Sequence, residues 1–394
     1  MAITQTARFQ LFNLFAYTFA WVPIVYPFFT LAKGFSNREY FALFSLYYFA
    51  MCLFEVPTGL LADRLGRRNA LVVGSFGLAG SFAAIYLARS FAGAATGMGL
   101  MALSHTLLSG SDAAWLYDRL LSVDRAHEYM QQEGRVHRLR LIGVSGTSVL
   151  AGLSAQWIGF GAAFAVGAAC CAIAGLLALG LDEPHRTRPR ISLAAHVTTS
   201  LRLVLTNPHV RWIFLYFILL FLLLRVAFHF YQPHMLEIGI DNYAVYGLVL
   251  GLLNVIAAPF AGLSQRFENW LGPRWLPTSL LLMMAASFLL LRAFPVTFSV
   301  TFFALQQIPF ALINPVTRTY TQRHVDSGRR ATVFSLQSLA GRLAVGLLFL
   351  VTGEAFERLG VSPVYLVLGL GSAVLALLLH ATRPKAPKAP TTVD

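Results

Sequence analysis

Apolar segments of about 20 residues recur from one end of this 394-residue chain to the other, separated by short charged connections. That length is what an α-helix needs to cross a hydrocarbon core of ~30 Å. The composition agrees: 57% of the residues are hydrophobic and 12% are charged, where a soluble domain carries about a quarter charged residues. A β-barrel would show ~10-residue alternation instead, and the chain has none. It therefore reads as an all-α integral membrane protein. Twelve spans are predicted, near 9–31, 39–61, 70–88, 93–117, 137–158, 160–181, 211–236, 243–265, 275–292, 296–317, 332–353 and 363–382. The first has no small-residue cleavage site after it and is too long for a signal-peptide core, so it is expected to remain as a helix.

The net charge of +13 could suggest a nucleic-acid partner. Counting along the spans gives another reading. With the N-terminus inside, 23 basic residues fall on the cytoplasmic side and five outside, leaving Arg225 and Arg342 within spans. This is the positive-inside asymmetry. The expected location is a bacterial inner membrane with both termini cytoplasmic, and no nucleic-acid partner is expected. Cys52, Cys170 and Cys171 all lie in spans and offer no disulfide framework.

Six spans precede a polar segment and six follow it. Residues 1–181 form the expected N-terminal bundle, 182–209 a cytoplasmic linker, 210–382 a C-terminal bundle, and 383–394 a disordered tail. Within the linker, Ile191, Ala194, Ala195, Thr198, Leu201 and Leu205 have helical spacing, the pattern of an amphipathic helix on the membrane surface. The halves echo each other. The first span starts near Phe9 and the seventh near Arg211, while Gly59 has a counterpart 203 residues on at Gly262. Duplicated units of this kind are common in secondary transporters.

Between the second and third spans the chain reads Gly59-Leu60-Leu61-Ala62-Asp63-Arg64-Leu65-Gly66-Arg67-Arg68. This resembles the loop 2–3 signature of the major facilitator superfamily, G-x-L-a-D-r-x-G-r-[KR]. Glu55-Val56-Pro57-Thr58-Gly59, Ser109 to Asp118 and Arg330 to Leu336 are similar to a bacterial branch of the same family. The resemblance implies twelve helices in two pseudo-symmetric six-helix halves, with helices 1, 4, 7 and 10 lining a central cavity. It also implies a conformational latch of Gly59, Asp63, Arg64, Gly66, Arg67 and Arg68. In that latch Asp63 would lie near the start of the eleventh helix and Arg67 would reach Asp118. The fifth span, Ser145 to Gly152, lacks the proline-containing element of many drug antiporters in the family.

Ionisable side chains inside a bilayer are expensive and normally face a cavity or one another. Here they fall into helical stripes: Asn13, Tyr17 and Trp21; Tyr48, Cys52 and Glu55; His105, Ser109 and Asp112; Arg225, His229 and Gln232; Gln307, Asn314 and Arg318; Ser335, Ser338 and Arg342. Each stripe occupies one face of its helix. Arg225 and Arg342, near the centres of their spans, could clamp a carboxylate or phosphate. They could equally pair with Asp112 or Glu55 as a conformational lock. His229, Tyr17, Trp21 and Gln307 are the other candidate substrate contacts. Each histidine is alternatively a hydrogen-bonded packing residue, and Trp21 part of a kink with Pro23 and Pro27. Asp112, Glu55 and His105 are the candidates for carrying a coupling proton. No metal-ligand spacing and no phosphate-binding loop occur, so no metal, cofactor or ATP is expected.

The chain thus reads as a monomeric secondary transporter, not an enzyme, moving a small organic anion or zwitterion by proton-coupled alternating access. A proton-driven exporter of amphipathic compounds is the alternative. A lipid flippase and a membrane-embedded enzyme are further readings.

Overall fold

A computed structural model describes residues 4–18, 20–184 and 201–384, apart from the side chains of 261, 327, 328 and 331. The described residues are helical, with no strand among them. The first predicted span is not one helix. α1, Gln5–Ala16, stops before an irregular stretch that is followed by a 3-10 turn, Val22–Ile24, a single α-turn, Val25–Pro27, and a π-turn, Phe28–Ala32. Pro23 and Pro27 explain the break, since each removes a backbone donor and crowds the preceding turn.

Eleven longer helices follow among the described residues. In the first half they are α2 (Asn37–Leu65), α3 (Arg67–Leu87), α4 (Phe91–Ser122), α5 (Tyr129–Trp157) and α6 (Phe160–Leu179). In the second half they are α7 (Pro208–Glu237), α8 (Tyr243–Ala261), α9 (Ser264–Ala293), α10 (Ala304–His324), α11 (Ser327–Leu359) and α12 (Val361–Ala381). Ten of the described helices are long and apolar enough to cross a membrane. The broken first segment and α5 fall outside that set, α5 because its opening turns carry Glu133, Arg135, His137, Arg138 and Arg140. The predicted amphipathic helix lies outside the described residues over 191–200, and residues 201–206 are helical. The tail from 385 onward is also outside them.

Helix starts follow local chemistry. Ser36 forms a reciprocal capping box with Glu39, and Asn207 caps α7 ahead of Pro208. α2 and α3 are joined by Gly66 alone, at φ 101°, and α9 is interrupted at Gly272, φ 74°. Both need the left-handed region that glycine reaches without strain. They stand at similar places in the two halves of the chain.

Within the first half, α4 packs on α2 and α3, and α6 on α1 and α3; within the second, α9 packs on α12, and α7 on α10 and α11. The halves meet most extensively at α2 with α11 and α5 with α8, and the broken first segment also touches α7 and α8. The α5–α8 pair touches backbone to backbone. A Cβ on Gly152 would sit 2.9 Å from the Gly247 Cα, and one on Gly247 would sit 3.1 Å from the Gly152 Cα, the small-residue approach typical of membrane helices.

The turn at Gly66, the α4–α5 connection and the arginine-rich ends of the helices share one side of the molecule, called here the basic face. On the opposite face the halves are stitched together. Arg38 pairs with Glu354 at 2.7 Å, the Asn37 N–H donates to Glu357 at 2.8 Å, and the Tyr243 N–H donates to Gln156 at 2.8 Å. Moving inward, Tyr40 and His229 share a hydrogen bond of 2.8 Å, and Ser45 donates to the Gly346 carbonyl at 2.6 Å. The innermost of the described cross-half bonds are Cys52 to the Leu339 carbonyl and Arg342 to Glu55, halfway along α2 and α11. Beyond them Val56, Leu60, Ile142, Leu252 and Val255 are exposed. The molecule is closed on the opposite face and parts toward the basic face.

Candidate functional site

The polar stripes meet in the middle of this divided bundle. Asp112 on α4 is 3% exposed. Its carboxylate accepts from Arg140 Nη2 of α5 at 2.6 Å and from the Tyr17 hydroxyl at 2.5 Å. The Arg140 guanidinium lies 4.4 Å from the Tyr17 ring centroid and donates from Nε to Asn13 at 2.8 Å. A buried ion pair holds only when its remaining hydrogen-bonding groups are also satisfied, and Tyr17 and Asn13 provide that here. Glu133, two turns back along α5, lies within electrostatic reach of Asp112, Arg140 and, from the other half, Arg318.

Two turns deeper along α4, His105 Nδ1 shares a 2.7 Å hydrogen bond with Tyr47, and its ring stacks on the Tyr47 ring. Arg342, Arg225 and Arg140 all lie within electrostatic reach of His105. The two mid-span arginines of the second half have separate environments. Arg342 pairs with Glu55 across the halves, which is the lock arrangement. Arg225 is half-buried with its guanidinium 4.8 Å from the Phe221 ring centroid, and no carboxylate pairs with it among the described residues.

The other candidates divide. Trp21 is 3% exposed and surrounded by Phe29, Phe44, Phe82 and Phe164. It fills the core of the first half and does not form a stacking wall, because the break at Pro23 turns it inward. His229 is likewise enclosed, with Phe44 and Phe349 against its ring and Tyr40 on its nitrogen. It belongs to the closed opposite face. Gln307 donates to the Tyr231 hydroxyl at 3.0 Å and is buried.

In the α2–α3 connection, Arg67 Nε lies 3.8 Å from Asp118, and Asp63 lies 3.5 Å from Arg67. The Asp63 side chain is 61% exposed. Gly59 has no atom within 4 Å of where a Cβ would stand, so no close approach occurs there. Arg64 is exposed. Gly66 does make a close approach, to the Glu183 carboxylate. That carboxylate caps α3 by accepting from the Arg67 and Arg68 N–H groups at 2.7 and 2.8 Å. Arg68 also donates to the Leu179 carbonyl at 2.5 Å. On the α4–α5 connection Glu128 accepts two hydrogen bonds of 2.6 Å from Arg125, which hold its carboxyl down at about 2.

Arg140, Glu133 and Glu183 are the site residues that sequence reasoning passed over. Counting basic residues by topology puts Arg140 on the cytoplasmic surface, at the opening of a fifth span predicted over 137–158. The helix begins eight residues earlier, at Tyr129. A signal was present: Glu133, His137 and Arg140 repeat the i, i+4, i+7 spacing of the stripes on α4 and α7.

Comparison with known proteins agrees with this architecture. The family model described as Major Facilitator Superfamily matches residues 9–347. A solved nucleoside transporter, NupG, superposes with a TM-score of 0.80 at 15% identity, covering 97% of this chain and 100% of that one. A POT family transporter in complex with 5-aminolevulinic acid gives 0.77 at 12% identity, covering 96% and 95%. An auto-inhibited POT family peptide transporter gives 0.72 at 14%, covering 97% and 98%. A search of curated proteins gave no match by sequence. At these identities the structures establish the fold, and the family model establishes the membership. This chain is a multi-pass membrane transporter, not an enzyme, and it belongs to the major facilitator superfamily.

Proposed function

We propose that the chain is a proton-coupled secondary transporter, with twelve spans in two six-helix halves, that moves a small organic anion or zwitterion by alternating access. In this reading the basic face is the cytoplasmic side of a bacterial inner membrane, the protein acts as a monomer, and the described conformation is open inward. The observation that supports the substrate class is Arg225, a mid-bundle guanidinium without a carboxylate partner among the described residues, within electrostatic reach of His105 as Arg140 is. A solute carboxylate or phosphate entering from the basic face would meet Arg225 from one half and Arg140 from the other. Arg140 is then shared between solute and Asp112. As it turns toward the solute, Asp112 keeps the Tyr17 hydroxyl and the Ala113 N–H and takes up a proton in place of the guanidinium. Glu55 and Arg342 act as the lock between the halves rather than as part of the clamp.

The test is flux in proteoliposomes with an imposed pH gradient, using a panel of labelled carboxylates and amino acids. Asp112→Asn should abolish pH-driven accumulation while leaving counterflow exchange of the same solute. Loss of both, or retention of both, refutes the coupling role. Transport of lipophilic cations with indifference to carboxylates would replace the anion reading with that of an amphipathic-compound exporter.

A further inference from the structure

The break in the first membrane segment is filled by a side chain from the other half. Gln232, on α7, is 3% exposed. Its Oε1 accepts from the Tyr26 N–H at 2.7 Å, and its Nε2 donates to the Val22 carbonyl at 2.5 Å. In an α-helix the N–H of residue 26 bonds directly to the carbonyl of residue 22. The Gln232 amide has thus entered a single i→i−4 bond and satisfied both of its ends. Insertion of a side chain into the ladder is a recognised cause of helix kinks. The neighbourhood suits it. Pro23 and Pro27 supply no donors of their own, so little helical bonding is lost on either side. Pro233 follows Gln232 directly and breaks the α7 ladder at the same level.

Gln232 can reach Val22 and Tyr26 only while the halves are closed on the opposite face. Tyr26 is 8% exposed, so a parted face would leave its N–H and the Val22 carbonyl without Gln232 in apolar surroundings, which is costly. The nearest remedy is for the two to bond each other. We propose that Gln232 is a state-dependent wedge. It holds the first segment broken when the opposite face is closed, and its withdrawal as that face opens lets the segment rewind between Val22 and Tyr26. Closure of the opposite face and the shape of the first segment, which carries Tyr17 to Asp112, are thereby one event. The inference rests on the alternating-access reading above.

The experiment measures two distances by pulsed electron paramagnetic resonance in nanodiscs, on a chain with Cys52, Cys170 and Cys171 replaced. Spin labels at Arg89→Cys and Val296→Cys span the opposite face. Labels at the exposed Leu11→Cys and Leu31→Cys span the break. Across pH 5 to 8 in the otherwise unaltered chain, the two pairs should change population together. Gln232→Met, similar in volume but unable to bridge, should raise the open population of the Arg89–Val296 pair roughly tenfold, the effect of losing two modest hydrogen bonds. A Leu11–Leu31 distance that stays the same in both populations overturns the wedge without any Gln232 variant being needed. So does a Gln232→Met population equal to that of the unaltered chain. A single Arg89–Val296 distance under every condition refutes alternating access itself, and the wedge with it.

Discussion

Removing the Arg140 guanidinium should show how strongly the mid-bundle pair is coupled. At the 2.6 Å contact with Asp112 the charge centres are about 4 Å apart, and at an effective dielectric of ~20 that corresponds to ~4 kcal/mol of attraction. The Asp112 side chain is 5% exposed and that of Arg140 23%, so solvent screens one partner only partly. Arg140→Gln leaves the carboxylate with the Tyr17 hydroxyl as its remaining side-chain partner, and breaking a buried pair from one side costs about 3–5 kcal/mol. Asp112→Asn alone should cost less, about 1–3 kcal/mol, because the exposed edge of Arg140 can turn toward solvent and retain Asn13. The double variant should recover most of the loss, giving a coupling energy of about 2–4 kcal/mol. The assay is a four-corner cycle of reversible denaturation in mixed micelles, followed by tryptophan fluorescence. Additive single effects, with coupling below about 0.5 kcal/mol, would refute the claim that these side chains form one buried unit.

Four further outcomes are expected. Gly247→Val should destabilise the α5–α8 contact by about 1–3 kcal/mol, since its side chain meets the Gly152 and Ser148 backbone. Gly59→Ala, with open space around it, should be neutral or stabilising by up to ~1 kcal/mol in the same unfolding assay. Glu55→Gln should abolish most transport, and the exchange Glu55→Arg with Arg342→Glu should restore more of it than either single change does, as measured by solute flux; no recovery would separate the pair from the lock. For topology, an impermeant thiol reagent applied outside spheroplasts should label Arg89→Cys and spare Ser122→Cys, and the reverse pattern would invert the orientation.

Much of the architecture was legible in the chain. The count and length of apolar runs required a helical membrane protein, because every backbone polar group in lipid must be satisfied within its own helix. The Gly59 to Arg68 stretch pointed to the family that the family model matches. Helical spacing also selected side chains that do meet, since Tyr17, Asp112 and His105 come together at mid-bundle.

Partner choice was not legible. Spacing places Asp112 on a face of α4 and Arg342 on a face of α11, but which guanidinium meets which carboxylate depends on how each helix is rotated and which helix stands beside it. Those are decided by packing between segments hundreds of residues apart, such as Gly152 against Gly247 and α2 against α11. Only the tertiary structure therefore assigned Arg140 to Asp112, Arg342 to Glu55, and Trp21 to the core. The same holds for the state of the molecule. In the alternating-access reading proposed above, one sequence encodes both the closed and the parted arrangement of its halves, because each is a different pairing of the same helix faces. The bonds from Arg38–Glu354 inward to Arg342–Glu55 belong to the arrangement that is closed on the opposite face. In that reading the placement of Asp63 at the start of α11, which the family resemblance implies, belongs to the other.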